Sequence, residues 1–292
     1  MMASVRHITV QILIILVVSA KSFAQVQVGI FGGLSNYQGD LTDKPFKNSK
    51  GAFGLTVAYQ VKPRINLRAG LTIATVAGAD SLSDKDYLRQ RNLSFQSPIT
   101  ELSLIAEFYS FDLTNKRWSP YVFAGLAVFH FNPYTFDQSN SKVYLKPLST
   151  EGEGLQGYAN SKAYSLTQLA IPFGGGIKFA VTPSMNIAIE AGLRKTFTDY
   201  LDDLSGNYPD ATDLLNAKGQ EAVLLSYRGF EVAGGNPSFP AKGAQRGSPK
   251  SKDYYYFTGI HLSFSIDKSQ SSGAIYFHNH VKKGYGCPAN PL

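Results

Sequence analysis

The chain has one cysteine, one tryptophan and three methionines in 292 residues, and only 17% of its residues are charged. A single cysteine excludes an internal disulfide framework and any zinc site made of cysteines alone. The low charge and a mean hydropathy of -0.12 exclude both a charge-rich disordered chain and a bundle of apolar membrane helices. No apolar run beyond the N-terminal region approaches the roughly 20 residues that a membrane-crossing helix needs. No phosphate-cradling glycine loop, dinucleotide fingerprint, nucleophile elbow or pair of CxxC motifs is present. Neither a cofactor nor a catalytic site is therefore expected, and the chain does not read as an enzyme.

Glycine (27 residues), phenylalanine (19) and tyrosine (17) are abundant, and the formal net charge is +7. That composition leans towards β-structure. Basic charge interleaved with aromatics is also a trait of nucleic-acid binders. An exported barrel touching lipid headgroups explains it more simply.

The first 24 residues read as an address. Arg6 and His7 precede the apolar run Ile12-Leu13-Ile14-Ile15-Leu16-Val17-Val18, and Ser22-Phe23-Ala24 supplies a small-x-small end, the pattern of a secretory signal peptide. Cleavage after Ala24 removes Arg6 and Lys21 and leaves a mature charge of +5. No cysteine lies at the cleavage point to receive a lipid.

Period-two alternation dominates the mature chain. Segment 185–198 sets Ile187, Ile189, Ala191, Leu193 and Phe197 against Asn186, Glu190, Arg194 and Thr196. Segments 25–35, 51–61, 65–77, 99–110, 119–131, 167–181 and 254–266 complete a set of eight, of which 119–131 is the least decisive because both its faces are apolar or small. Short links near 62–64, 112–118 and 182–184 alternate with long ones near 36–50, 78–98, 132–165 and 199–252. An even number of antiparallel strands with tight turns at one end and long loops at the other predicts an all-β fold: an eight-stranded transmembrane β-barrel of the outer membrane, with short periplasmic turns and long extracellular loops. A soluble sandwich or lipocalin-like barrel would instead enclose the apolar rows. Tyr59, Tyr109, Trp118, Tyr121, Phe129, Phe131, Phe197, Tyr254 and Tyr256 stand near strand ends and suit two interfacial girdles.

Eight strands leave an interior that side chains fill. The inward rows carry Arg68, Lys178 and Arg194 together with Glu101, Glu107 and Glu190, and mutual pairing of these charges predicts a non-conducting plug. A hydrated channel lined by the same residues is the alternative. Gly174-Gly175-Gly176 falls mid-strand, where glycine serves close packing or curvature. His278-x-His280 offers two metal ligands, too few for a site, and His130 and His261 read as wall or interface residues. His261 and Ser263 share a face, but an inward one, which a lipid-modifying enzyme would not use. The acidic run Asp199-Tyr200-Leu201-Asp202-Asp203-Leu204-Ser205-Gly206 comes directly after the most regular strand. Its carboxylates are expected to bond backbone donors at the loop exit; a cation site or a partner-facing surface is the competing reading.

That run, with Asn207-Tyr208 after it, the early Ser35-Asn36-Tyr37-Gln38-Gly39-Asp40-Leu41 and Pro120-Tyr121-Val122-Phe123-Ala124-Gly125 leading to Phe131-Asn132-Pro133, resembles the Bacteroidota outer-membrane barrel family that includes PorG of the type IX secretion system. The resemblance covers residues 25–266. It implies Asp199, Tyr200, Asp202, Asp203 and Ser205 as a family motif. It also implies a non-enzymatic anchor or scaffold for a periplasmic ring of PorK- and PorN-like proteins, serving secretion or gliding. A small porin-like or lipid-modifying barrel is the alternative function. Gly234-Gly235-Asn236-Pro237 and the stretch from Gly243 to Pro249 read as flexible insertions.

Residues 267–292 form an expected periplasmic tail. Tyr276, Phe277, Lys282, Lys283 and Tyr285 give it the aromatic and basic content of a docking segment. Cys287, alone in an oxidising compartment, is placed to form an intermolecular disulfide with a ring partner.

Overall fold

The computed structural model describes residues 26–42, 44–158, 163–250 and 252–266. Eight long strands, β1 (Val26–Gln38), β2 (Lys50–Lys62), β3 (Ile65–Ala79), β4 (Ser94–Tyr109), β5 (Trp118–Phe131), β8 (Thr167–Ala180), β9 (Met185–Thr196) and β10 (Tyr254–Ser265), form an antiparallel meander. β3 pairs with β4, and β1 pairs with β10 from Gln27↔Ser265 to Gln38↔Tyr254, so the sheet closes and keeps no free edge. Two three-residue strands, β6 (Tyr134–Phe136) and β7 (Lys142–Tyr144), make a small hairpin joined to β4 through Gln96↔Tyr134. The predicted signal peptide and the tail bearing Tyr276, Phe277, Lys282, Lys283, Tyr285 and Cys287 lie outside the described residues.

Closure is possible because the two faces of each strand have opposite chemistry, and here the usual arrangement is inverted. Leu126 is 70% exposed and Leu102 62% exposed on the outer face, while Glu101 is completely buried inside. Val122, Leu169 and Ile189 continue the outer apolar surface around the wall. Water does not tolerate an uninterrupted apolar surface of this extent. A closed barrel with all main-chain groups paired and its apolar rows outward fits a bilayer. Among the described residues no helix is long and apolar enough to cross a membrane.

The aromatic residues near strand ends divide differently from the expectation. Trp118, Phe197, Tyr254 and Tyr256 face outward, but Tyr109, Tyr121, Phe129 and Phe131 are buried inside. They share the parity of Glu101 and Glu107 and pack the lumen, so they belong to no interfacial girdle. The ambiguity of β5 is resolved by the same fact: its inward row is aromatic and small, from Ser119 through Tyr121 and Phe123 to Phe131.

The inward glycines make room for these rings. A Cβ on Gly174 would sit 2.2 Å from the Ala191 carbonyl and 2.8 Å from the Phe123 ring, and one on Gly176 would meet Tyr121 at 3.0 Å. Gly174 pairs with Gly192 across the ladder, so Phe123 lies over a glycine patch.

The long connections are folded and do not trail from the barrel. β3 and β4 continue their ladder to Ala79↔Ser94, which places residues 94–98, expected in a loop, in the sheet. Above it lie α1 (Asp86–Arg91), the β6–β7 hairpin, α2 (Ala211–Lys218) and α3 (Gln220–Ser226). Leu145, Leu148, Leu201, Leu204, Leu214 and Leu225 from these connections join Tyr37, Val76, Phe95, Phe129, Phe131 and Tyr255 from the strands in one buried apolar cluster. The connections are thus a cap whose core is continuous with the upper lumen. Residues 243–249, one of the two stretches expected to be flexible insertions, are part of it: the amides of Arg246 and Gly247 both donate to the Gly206 carbonyl, and a Cβ on Gly247 would meet the Ser205 nitrogen at 2.7 Å. Glycine serves close backbone approach there.

Gly174→Val is expected to prevent formation of the compact, heat-modifiable barrel. Gly32→Val, whose new Cβ would face outward with nothing within 4 Å, should leave it intact. Electrophoresis of unboiled and boiled samples reads both outcomes.

Candidate functional site

The lumen holds all six of the charged residues expected there, and they meet in two groups. In the lower group Arg68 bridges Glu107 at 2.9 Å and Glu190 at 2.8 Å, and Lys178 stands 3.8 Å from Glu107. Tyr109 donates to Glu107 (2.5 Å) and Tyr121 to Glu190 (2.6 Å). In the upper group Arg194 meets Glu101 at 3.2 Å, donates to the Gly192 carbonyl at 2.7 Å and lies 4.2 Å from the centre of the Phe257 ring, while Tyr255 donates to Glu101 at 2.7 Å. Each guanidinium is thereby matched by a carboxylate and covered by rings, which is the condition for charge in a confined, poorly hydrated interior. His261 also points inward and lies 2.7 Å from the Thr56 hydroxyl, whereas His130 is outside, 3.0 Å from Thr167.

Between the two groups a cavity of about 20 Å³ remains, lined by Arg68, Glu190, Arg194, Phe31 and Phe257 among others. That is room for about one water. Tyr109, Tyr121, Phe123 and Ile105 close the lumen towards the short turns, and the cap core closes the opposite end.

The acidic run is the knot of the cap. Asp202 accepts from the Tyr37 hydroxyl at 2.5 Å and from the Leu204 amide at 3.0 Å. Asp253 accepts from the Leu201 amide at 2.9 Å and lies 3.2 Å from the same Tyr37 hydroxyl. One phenolic hydrogen serves only one of these two carboxylates at a time. Burial raises both acids well above the usual range, and each raises the other. Asp203, in the left-handed region at φ 65°, accepts from Thr150 at 2.5 Å and from Tyr164 at 2.6 Å. Asp199 accepts from Ser205 at 2.7 Å, and Tyr200 stacks on Tyr164 with ring centres 4.6 Å apart.

Residues outside the run complete the knot. Glu151 accepts from the amides of Ser205 and Gly206 at 3.0 and 2.8 Å and pairs with Arg246 at 3.1 Å. Arg246 also donates to the carbonyl of Asp203 at 2.6 Å. Arg91 grips Asp80 through two contacts of 2.7 Å and donates to the Arg246 carbonyl. The motif thus ties the exit of β9 to β1, to Thr150, Glu151 and Tyr164, and to the return segment before β10. These are the backbone and hydroxyl bonds of a structural role. Among the described residues no group of three or more His, Cys, Asp or Glu side chains is arranged to hold a metal ion. Sequence reasoning missed Glu151, Arg246 and Asp253, whose side-chain partners are 20 or more residues away; Tyr37 lies in a stretch that carries the family resemblance, but nothing local marks its hydroxyl.

Two expectations concern these groups. Arg68→Met leaves Glu107 and Glu190 facing each other and should cost about 3–5 kcal/mol in chemical unfolding of the reconstituted barrel. Adding Glu190→Gln should recover much of that loss, whereas an unchanged midpoint for Arg68→Met alone would show that the pairs contribute nothing. The second concerns pH. Burial first, then the Asp203 and Glu151 charges, push Glu153 up to about 8, and burial pushes Asp203 up to about 6. These folded groups hold protons that exposed carboxyls release near pH 4, so the cap should be firmest below that pH and loosen as pH rises through 6 and 8. Hydrogen exchange of amides 199–206, corrected for intrinsic rate, reads the effect. Glu153→Gln should flatten its alkaline part, and protection that grows with pH would contradict the assignment.

Solved structures similar to this chain are outer-membrane barrels. Neisserial surface protein A has a TM-score of 0.43 at 10% identity, with 84% of this chain and 100% of that chain covered. A major outer membrane protein from Thermus thermophilus has a TM-score of 0.42 at 10% identity with the same coverage of 84% and 100%. The outer membrane protease OmpT from Escherichia coli has a TM-score of 0.32 at 8% identity, with 83% and 96% covered. No curated protein matches the chain in sequence. A family model matches residues 6–220, well over half of the 292 residues, and the chain belongs to that family, DUF6089, described as a domain of unknown function.

Proposed function

We propose that this protein is a closed, non-enzymatic anchor of the outer membrane, and that it serves as a scaffold for the periplasmic ring of a type IX secretion or gliding machine. The observation that supports the reading is the double seal of the lumen: two charge groups with a cavity of only about 20 Å³ between them, and a folded cap above. A lumen so filled offers no path for solute and no interior cleft for a substrate. What it supplies is a rigid cylinder fixed in the membrane.

β1 begins and β10 ends at the short-turn end, where the Ile266 amide donates to the Val26 carbonyl at 2.9 Å. Short turns mark the periplasmic end of such barrels. Residues 267–292 then enter the periplasm, where Tyr276, Phe277, Lys282, Lys283 and Tyr285 contact PorK- or PorN-like ring proteins and Cys287 crosslinks to one of them. The sequence resemblance to the PorG-containing family supports this choice of partner.

Deleting residues 267–292 should leave a heat-modifiable barrel in the membrane, abolish secretion of cargo and remove ring proteins from an affinity pull-down. Undiminished secretion by the inserted truncation would refute the scaffold. Planar-bilayer recording of the purified protein should give no steady conductance; a stable ohmic channel would favour the porin alternative. A higher-mass species on non-reducing gels should disappear in Cys287→Ser.

A further inference from the structure

The outer wall is not uniformly convex. Across β8, β9 and β10 the outward row Gly175–Ala191–Thr258 is made of small residues in register. The next outward row towards the cap, Phe173–Leu193–Tyr256, is large. The step between the rows leaves a furrow of about 560 Å³, within the range of about 300–1,000 Å³ typical of sites for small molecules. Its lining is almost wholly apolar, with Gln38 and Thr258 as the exceptions among side chains other than the tyrosines.

The connection between β1 and β2 shapes the furrow's upper lip. Pro45 and Phe46 reach over it, and the Phe46 ring packs edge-on against Tyr256 with centres 5.4 Å apart. Phe46 holds a left-handed backbone at φ 60°, unusual for a bulky residue, and its amide donates to the Tyr256 hydroxyl at 2.9 Å. Phe46 is nevertheless 57% exposed. An aromatic held in that conformation and left uncovered is placed to contact something outside the chain.

The next outward row above Leu193 carries Lys195, paired in register with Tyr254 and Ile171. Lys195 is exposed and has no ion-pair or hydrogen-bond partner among the described residues. The nearby Lys44 and Lys47 are already engaged with Asp84. A cation thus stands directly above an apolar furrow, at the end of the barrel that carries the long loops. An acyl chain below a phosphate has the complementary pattern.

We propose that this furrow binds one acyl chain of an acylated phosphosugar lipid of the lipid A type, the phosphate-bearing lipid of the external leaflet, with its phosphate on Lys195. The proposal requires the wall to face lipid, but it does not require the tail to bind a partner. Lipid retention and cargo secretion therefore fail separately.

The test is native mass spectrometry of the full mature barrel released from detergent micelles doped with lipid A, with phosphatidylglycerol or with inorganic phosphate. Wild type should retain one lipid A molecule and neither of the other probes to a comparable extent. Ala191→Phe, which fills the furrow from its lipid-facing floor, should abolish retention. Lys195→Gln should weaken it about five-fold, the scale of one exposed ion pair. Heat-modifiable mobility of both variants shows that the barrel is folded, and Lys195→Gln alone suffices if Ala191→Phe does not fold. Retention unchanged in folded variants, or phosphatidylglycerol held as well as lipid A, overturns the proposal.

Discussion

The molecule depends on keeping charge inside a cylinder whose outside is grease. Lipid offers no partner to a main-chain amide or a carboxylate, so the sheet must close on itself and every inward charge must find its counterpart across a space a few side chains wide. Arg68 between Glu107 and Glu190, and Arg194 against Glu101, satisfy that demand. The tyrosine hydroxyls that donate to these carboxylates supply the remaining bonds. Glycine at positions 174, 176 and 192 then lets the rings of Phe123 and Tyr121 lie flat enough to fill what is left. Closure, pairing and packing are one solution to a single constraint.

The cap extends the same logic into a different solvent. Above the membrane water is available, yet the connections do not remain solvated. Leucines from residues 145–148, 201–204 and 214–225 continue the apolar column that begins with Phe31 and Phe257 in the lumen. Burying them draws in the carboxylates between them, which bond amides, hydroxyls and the guanidinium groups of Arg91 and Arg246. Some of these carboxylates do not receive a cation, and burial raises their affinity for a proton. The result is a lid with the packing of a protein core on a wall that has a core's polarity reversed.

The barrel was legible in the sequence because its signal is local: a strand shows its two faces within ten residues, and Ile187 to Phe197 or Leu102 to Phe108 suffice to set the register. The inward charges followed from the same parity. The aromatic rows did not, because a tyrosine reads equally well as a girdle residue or as lumen packing, and only parity with Glu107 separates Tyr109 from Trp118. The cap was hidden for a deeper reason. Its contacts join Tyr37 to Asp202, Glu151 to Arg246 and Leu201 to Asp253, pairs that no periodicity links. Two of the glycines read as slack, Gly235 and Gly247, are points of close backbone approach.

The seam between β1 and β10 has a temporal meaning. Those strands lie at opposite extremes of the barrel sequence, so the amides and carbonyls along one side of β1 stay uncovered until residues 254–265 have been made and have arrived. Until then the unfinished sheet presents a sticky margin to any passing polypeptide. Such a chain must be held apart from its neighbours during transit and then shut as a unit, like a hoop that bears no load before its last stave is seated.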